Sequence, residues 1–335
     1  MNRICKLLCV SLCFLFFFAG CSFDDLPNDV ISVSGSIINN DYNNYLAGAN
    51  LARIDKKLYY NYYKSPTCYG LIEISKEEPK RIHWNGEKWF GSDHYNYPIR
   101  AYDDKLIVKK NDCELICYSS VTKEFGEFDE FPCSYIGTIY VEEASYCISS
   151  DESNLIKYRN DQRIILTNDY VTNLYLSNEY IYYAAYVQMY EKSEVHICRY
   201  STLDNDIEVL CVTQVLPETL YVYDNYIVFI GYTNDTMDAQ KGLFKIDMNL
   251  SSYEIKTIVV DDSILSLNLF GGAAYIASKS GIKIYDINSD DFNLLCDEYA
   301  EECYILDDKW VYFVGKNCVL WRVTQDGAVV EKVYG

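Results

Sequence analysis

From about residue 50 onward the chain alternates short apolar runs with short polar breaks, and no stretch carries a helical period. Runs of four to seven Val, Ile, Leu, Tyr and Phe residues are separated by Asp, Asn, Gly or Ser. Such regular short strands with turn signals between them predict an all-β chain. Aromatic and β-branched residues fit a pleated, half-buried surface, and the 34 tyrosines and 16% aromatic content push the same way. The six prolines fall between the runs, where a sheet tolerates them.

The runs also repeat. Leu174-Tyr-Leu-Ser-Asn-Glu-Tyr-Ile-Tyr-Tyr183 is followed by Val195 to Tyr200, and Leu220-Tyr-Val-Tyr-Asp-Asn-Tyr-Ile-Val-Phe229 by Gly242 to Asp247. Leu267 to Ile276 with Gly281 to Asp286, and Tyr304 to Phe313 with Cys318 to Val323, read the same way. Weaker copies begin at Leu51, Arg100 and Ile139. The strand after the tight turn is expected to start at Leu58, Leu106, Tyr146, Tyr180, Tyr226, Ala274 and Trp310, at intervals of 34 to 48 residues. A four-stranded propeller blade needs roughly 40–50 residues. The expected fold is therefore an all-β β-propeller of four-stranded blades over residues 48–335, with seven blades and with six or eight as the alternatives. A stray strand-like run, Val30 to Ile38, either pairs with the last blade to close the ring or leads into the first. One blade cannot bury both of its faces alone, and radial packing buries them. Tyrosines of the second strands supply flat side chains between blades, with hydroxyls free to reach backbone.

The N-terminus carries a different pattern. Arg3 and Lys6 precede an apolar run from Leu7 to Phe18, which ends in Phe18-Ala19-Gly20-Cys21. A short positive region, an apolar core and small residues before a cut predict an export signal over residues 1–20. Those last four residues resemble the lipobox of bacterial lipoproteins, with Phe18 where that family favours Leu. The resemblance implies cleavage before Cys21, acylation of its sulfur, a tether over residues 21–47, and a protein held at the outer face of the bacterial cell membrane by lipid.

Charge excludes some partners. The formal net charge is −20, and it becomes more negative once Arg3 and Lys6 leave with the leader. Nucleic acid needs a basic face, so none is expected. Adhesion to anionic lipid needs a polybasic segment, so membrane attachment falls to the lipid. A monomer is expected. Of the 14 cysteines, ten lie beyond Cys21, and several sit inside apolar strands. Mostly free, buried thiols are expected there.

The strand pairs Ile181 to Tyr183 with Val195 to Tyr200, Val228-Phe229 with Leu243 to Asp247, and Val311 to Phe313 with Leu320 to Arg322 resemble bacterial propellers of unknown function. Those are related to the YWTD propellers of the low-density-lipoprotein receptor and its relatives. The resemblance is one of repeat pattern over roughly residues 48–334. It implies a binding or sensing role and transfers no catalytic residue.

Candidate chemistry is sparse. His83, His94 and His196 are the three histidines. No metal-protease, nucleophile-elbow or phosphate-loop motif occurs. The acidic pairs at 103–104 and 307–308 fall on the repeated turn, which Asp favours, and no calcium-loop spacing is present. No cofactor or metal is expected, and the chain is read as not an enzyme. The most unusual stretch is His83 to Tyr97, with Trp84, Trp89, Phe90, His94, Tyr95 and Tyr97. It connects the outer strand of the first blade to the inner strand of the second. Two apparent long loops, Tyr186 to Glu194 and Gly231 to Lys241, fall at the same end. That end is the expected binding face, for a protein or a glycan ligand. The alternative is a propeller enzyme acting on polysaccharide, a lyase or hydrolase.

Overall fold

The structure, a computed structural model, describes residues 46–335 apart from 49, 56, 66–67, 76–78, 83–98, 103, 112–113, 129–136, 142–143, 150–151, 161, 190–191 and 251. Cys21, the leader and the run from Val30 to Ile38 lie outside the described residues.

Twenty-eight strands form seven four-stranded antiparallel sheets, each built from consecutive strands. Blade 1 holds β1 (Leu51–Ile54), β2 (Lys57–Ser65), β3 (Cys68–Ile74) and β4 (Lys80–Ile82). Blade 2 holds β5 (Ile99–Tyr102), β6 (Lys105–Asn111), β7 (Glu114–Ser119) and β8 (Phe125–Glu127). Blade 3 holds β9 (Ile139–Val141), β10 (Ala144–Ile148), β11 (Leu155–Arg159) and β12 (Gln162–Ile165). Blade 4 holds β13 (Tyr170–Ser177), β14 (Tyr180–Met189), β15 (Lys192–Ser201) and β16 (Ile207–Thr213). Blade 5 holds β17 (Leu216–Tyr223), β18 (Tyr226–Tyr232), β19 (Lys241–Asp247) and β20 (Ile255–Val260). Blade 6 holds β21 (Ile264–Phe270), β22 (Ala273–Ser278), β23 (Gly281–Asp286) and β24 (Phe292–Cys296). Blade 7 holds β25 (Glu302–Ile305), β26 (Trp310–Val314), β27 (Leu320–Thr324) and β28 (Val330–Tyr334). This is the seven-bladed reading of the repeat. The second strands start within two residues of the expected positions.

Local chemistry explains the hairpins. Two-residue turns that match strand twist need backbone in the left-handed region. Asp55, Asn178 and Asp224 adopt it at φ 53°, 53° and 50°, and Gly271 and Gly272 at 58° and 82°. The core lies between blades. Tyr59, Tyr60, Tyr146, Tyr183, Tyr200, Tyr221, Tyr285, Tyr304 and Tyr312 are all fully buried. Two of their hydroxyls reach backbone as expected, Tyr221 donating to Leu267 O at 2.6 Å and Tyr60 to Cys318 O at 2.8 Å, while those of Tyr59, Tyr200, Tyr285 and Tyr304 donate to side chains. Free thiols occur at Cys117, Cys147, Cys198, Cys211, Cys296, Cys303 and Cys318. Burial pushes the Cys198 and Cys303 thiols up to about 12, which makes them packing groups and not nucleophiles.

Blades 1 to 6 are coupled two by two by a repeated polar contact. Near the end of the third strand of blades 1, 3 and 5 stands a charged residue: Glu73, Lys157 or Lys245. The next blade answers with a tyrosine at the end of its own third strand, Tyr118, Tyr200 or Tyr285, and with a polar residue in the turn after it. That turn has one geometry three times. The amides of Lys123, Asn205 and Asp290 each bond a carbonyl four residues back at 3.0 Å, with φ of 63°, 59° and 61°. The contacts are Lys123 Nζ–Glu73 Oε2 at 3.3 Å, Lys157 Nζ–Asn205 Oδ1 at 2.8 Å and Lys245 Nζ–Asp290 Oδ1 at 2.6 Å. Charge is reversed in the first pair, so the position is kept for a polar bridge and not for one sign. Among the described residues blade 7 shows no such contact. Its Arg322 bonds Glu331 of its own blade and stacks 4.1 Å from the Trp310 ring.

Among the described residues the ring closes without a shared strand, because β25 to β28 are consecutive and make blade 7 by themselves. Tyr60, Tyr304 and Tyr312 pack in one apolar cluster across the seam between blades 1 and 7. At one end of the seam Arg53 Nη1 meets Asp307 Oδ2 at 3.4 Å. At the other, Asn50 Nδ2 donates to both oxygens of Glu302, at 2.8 and 2.9 Å.

Candidate functional site

Connectors between blades and the loops joining second to third strands share one end of a propeller. At this end β14 and β15 stay paired through Val187↔Glu194, Gln188↔Ser193 and Met189↔Lys192. The matching strands of blade 5 stop at Tyr232↔Lys241, the equivalent of Tyr186↔Val195. The expected long loop from Tyr186 to Glu194 is thus corrected to a projecting hairpin. The stretch contains no Gly or Pro, so nothing in it stops the ladder short of Met189↔Lys192. Three extra pairs carry it about 10 Å past its neighbour, at roughly 3.4 Å per residue.

The expected loop of blade 5 is a loop, and it is braced. Thr233 N donates to Gln240 O at 2.9 Å and Gln240 N to Thr233 Oγ1 at 3.1 Å. Asn234 Oδ1 accepts from the amide and hydroxyl of Thr236 at 2.9 and 2.6 Å. The bracing holds Met237 fully in solvent between the exposed Asp235 and Asp238. Tyr170 and Tyr232 are exposed at the same end of the propeller, and Tyr170 stands edge-on to Tyr186 at 5.8 Å.

A bulge positions the charged groups below this loop. β17 pairs Pro217 with Gly231 and then Thr219 with Ile230, leaving Glu218 as the extra residue. Bulges re-aim a side chain. Gly231 permits this one, since a Cβ there would lie 2.3 Å from Leu216 O. Glu218 Oε2 meets Lys241 Nζ at 2.5 Å, and Lys241 Nζ lies 5.7 Å from the Tyr232 ring centre. The Glu218 charge, with some burial, raises the Tyr232 hydroxyl above its ordinary value. Asp262 Oδ1 accepts the Lys241 amide at 2.8 Å, and Asp261 Oδ2 meets Lys283 Nζ at 3.0 Å. The bonds from Ser263 and Lys283 hold the Asp261 carboxyl below its usual range despite some burial. The arrangement offers fixed carboxylates, two ammonium groups and an exposed phenol, a set suited to hydrogen bonding a polar ligand.

The residues read from sequence as the binding group, Trp84, Trp89, Phe90, His94, Tyr95 and Tyr97, lie outside the described residues. The flanking strands, ending at Ile82 and starting at Ile99, run to this same end. His196 sits on the projecting hairpin, half-buried, with Nε2 3.8 Å from Glu194 Oε2. Among the described residues no group of three or more His, Cys, Asp or Glu could hold a metal. Asp307 behaves as a turn residue, its Oδ1 accepting the amides of Lys309 and Trp310 at 3.1 and 2.8 Å.

Sequence reading missed Glu218 and Glu302. The first stands just ahead of the apolar run that begins at Leu220, where nothing in the sequence marks it. The second stands at the inner-strand level that Thr219 and Ser266 fill in blades 5 and 6. A charged residue at a level otherwise filled by hydroxyls was the available signal.

No family model and no curated protein matches the chain. Solved structures do. The chain is similar to the extracellular domain described for a hybrid two component system of B. thetaiotaomicron, with a TM-score of 0.55 at 13% identity over 86% of this chain and 41% of that one. It is similar to the tricorn protease, with a TM-score of 0.54 at 10% identity over 86% of this chain and 34% of that one. It is also similar to a prolyl endopeptidase, with a TM-score of 0.52 at 11% identity over 89% of this chain and 51% of that one. The chain therefore spans about a third to a half of these proteins. At such identities the likeness fixes the fold alone.

These neighbours correct one expectation. The chain was read as not an enzyme because histidine is scarce and motifs are absent. Two neighbours are proteases, so the architecture is shared with enzymes, and that inference from composition does not stand. Among the described residues no helix is long and apolar enough to cross a membrane.

Proposed function

We propose that this protein is exported, held at the outer face of the membrane by lipid on Cys21, and captures a protein or glycan ligand on the end of the propeller that carries the hairpin β14–β15 and the loop 233–240. The observation that carries the reading is the braced loop. It holds Met237 in water at the end of the propeller that also carries the exposed Tyr232 and the bulge-positioned Glu218–Lys241 pair. An apolar tip on an ordered frame, ringed by polar groups, is the composition of a recognition surface. The leader pattern before Cys21 and the likeness to an extracellular domain support export. The resemblance to YWTD-like propellers of unknown function agrees with a binding role. Residues Trp84, Trp89, Phe90, His94, Tyr95 and Tyr97 are assigned to the same face as its aromatic part.

Two measurements test this. Mass spectrometry of the membrane-bound protein should find Cys21 acylated as the first residue, and Cys21→Ser should release the chain to the soluble fraction. Retention of residues 1–20 without acylation would remove the anchor from the reading. Trp89→Ala with Tyr95→Ala should reduce capture of ligand, from a glycan array or from membrane extracts, by more than tenfold while thermal stability changes little. Unfolding of that variant would place the two residues in the core instead.

A further inference from the structure

Of the three polar bridges that join blades two by two, the middle one lacks an anion. In the first, Glu73 accepts from Lys57 and Lys123 at 2.8 and 3.3 Å. In the last, Asp290 sits between Lys245 and Lys256 at 2.6 and 2.5 Å. The middle bridge sets Lys157 against Asn205 Oδ1 at 2.8 Å and Tyr200 Oη at 3.5 Å. The Tyr146 and Tyr200 rings lie 5.5 and 5.9 Å from its Nζ. An amide oxygen and two phenols solvate the ammonium without neutralising it. Lys157 is buried, and Arg159, of like charge, acts on it. Among the described residues no carboxylate reaches it. Buried charges are costly unless paired. An ammonium carries three donors, and the described residues supply acceptors for two of them, one at the limit of hydrogen-bonding distance.

The register shows what flanks this bridge. Cross-strand partners share a face of the sheet, and so do residues two apart on one strand. Tyr200, Cys198 and His196 of β15 pair with Ile207, Val209 and Val212 of β16. Tyr200 meets Lys157 and Tyr146 of blade 3, so this face of blade 4 looks toward blade 3. Lys157 pairs with Ile164 of β12, and its reach to blade 4 puts Ile164 on the facing wall. Ile164, Ile207, Val209 and Val212 are between 42% and 55% exposed, so four branched apolar side chains line an open groove that starts at a buried cation. Exposed apolar surface of this kind marks a binding site. Blade 5 carries Lys256 at the place of Ile164, so the last bridge is closed by charge where the middle one opens onto apolar surface.

We propose that this groove binds a long-chain carboxylate, with the carboxylate on Lys157 and the aliphatic chain along Ile164, Ile207, Val209 and Val212. A single terminal anion followed by apolar length matches one cation at the start of an apolar stripe. From Ile207 to Val212 the stripe runs about 15 Å, at roughly 3.4 Å per residue. An extended peptide matches less well. β16 pairs Val209 with Cys198 and Cys211 with Ile197, which leaves Leu210 as an extra residue. That bulge interrupts the ladder an added strand needs, whereas an aliphatic chain needs no ladder. The formal charge of −20 also repels a polyanion more than a single carboxylate. The site uses no residue of the loop 233–240.

Isothermal titration calorimetry of the full chain with dodecanoate, kept below micelle-forming concentration, tests the site. Dodecanol and butanoate should each bind at least about tenfold more weakly than dodecanoate. Lys157→Met keeps the aliphatic stem and removes the charge, so it should weaken dodecanoate at least about tenfold and leave dodecanol within about twofold. Val209→Asp, an exposed change in the stripe, should weaken both. Leu294→Asp, on the outer strand of blade 6 where Asp290 already supplies an anion, should leave dodecanoate binding unchanged. No binding of dodecanoate, equal binding of dodecanol, or binding that survives both Lys157→Met and Val209→Asp overturns the proposal. If Lys157→Met does not fold, dodecanoate against dodecanol on the native chain decides the head group, and Val209→Asp against Leu294→Asp decides the groove. Loss of the preference for dodecanoate, or equal effects of the two aspartate variants, ends it.

Discussion

Replacing Phe229 with alanine should lower the stability of the folded chain by about 4 kcal/mol, read as a shift in the urea midpoint with unchanged slope. Phe229 is fully buried in β18 and stacks on Phe244 of β19, with ring centres 5.4 Å apart and planes 22° from parallel. It belongs to the largest apolar cluster, which runs from blade 3 to blade 6. Removing the ring forfeits its transfer out of water and leaves a cavity. Strands on both sides are fixed by ladders, so the space cannot collapse. The aromatic pair adds about 1 kcal/mol beyond area. Phe229→Leu, which keeps most of the volume, should cost about 1 kcal/mol. Equal losses for the two variants would mean that ring shape, and not volume, sets the energy.

Asp290→Ala should destabilise by about 2–3 kcal/mol at pH 7, more than Asp291→Ala beside it. Lys245 is buried, and Asp290 Oδ1 and the Ile287 carbonyl hold its ammonium at 2.6 and 2.8 Å. The Tyr226 and Tyr285 rings lie 4.6 and 5.8 Å from it. Removing Asp290 leaves a buried cation with one acceptor, and breaking a buried pair costs about 3–5 kcal/mol. Asp290 is itself partly exposed, which lowers the figure. Burial would raise its carboxyl, but Lys245, Lys256 and Tyr285 together hold it well below the usual carboxylate range. Its contribution is therefore full above the ordinary value of 3.8 and fades as pH falls below it. Lys245→Met in the Asp290→Ala background should recover most of the loss. A double variant no more stable than Asp290→Ala would argue against the unpaired cation as the cause.

The repeat was legible because each blade needs the same things locally: an alternating strand, a turn residue that tolerates the left-handed region, and an aromatic to fill the gap to its neighbour. Asn178, Asp224 and Gly271 announce their turns by type alone. The blade count followed from spacing. The projecting hairpin was misread because Tyr186 to Glu194 is polar enough to pass for a loop, and polar residues pair as well as apolar ones where a ladder stands in water. Catalysis was set aside on composition, which speaks only to residues and not to what a shared architecture can host.

What the sequence determined by itself is the all-β class, the seven repeats and the aromatic filling between them, since these depend on neighbours a few residues apart. The bridges Glu73–Lys123, Lys157–Asn205 and Lys245–Asp290 join residues 50, 48 and 45 positions apart, and Asn50 meets Glu302 across 252. No local pattern marks such partners, because each is an ordinary turn or strand residue until its blade is set against the next. Tertiary structure alone decided which blades are coupled, which carboxyl lies in the seam, and that the bulge at Glu218 aims a charge at Lys241. These choices come from closing a circle, a constraint that acts on the whole chain at once.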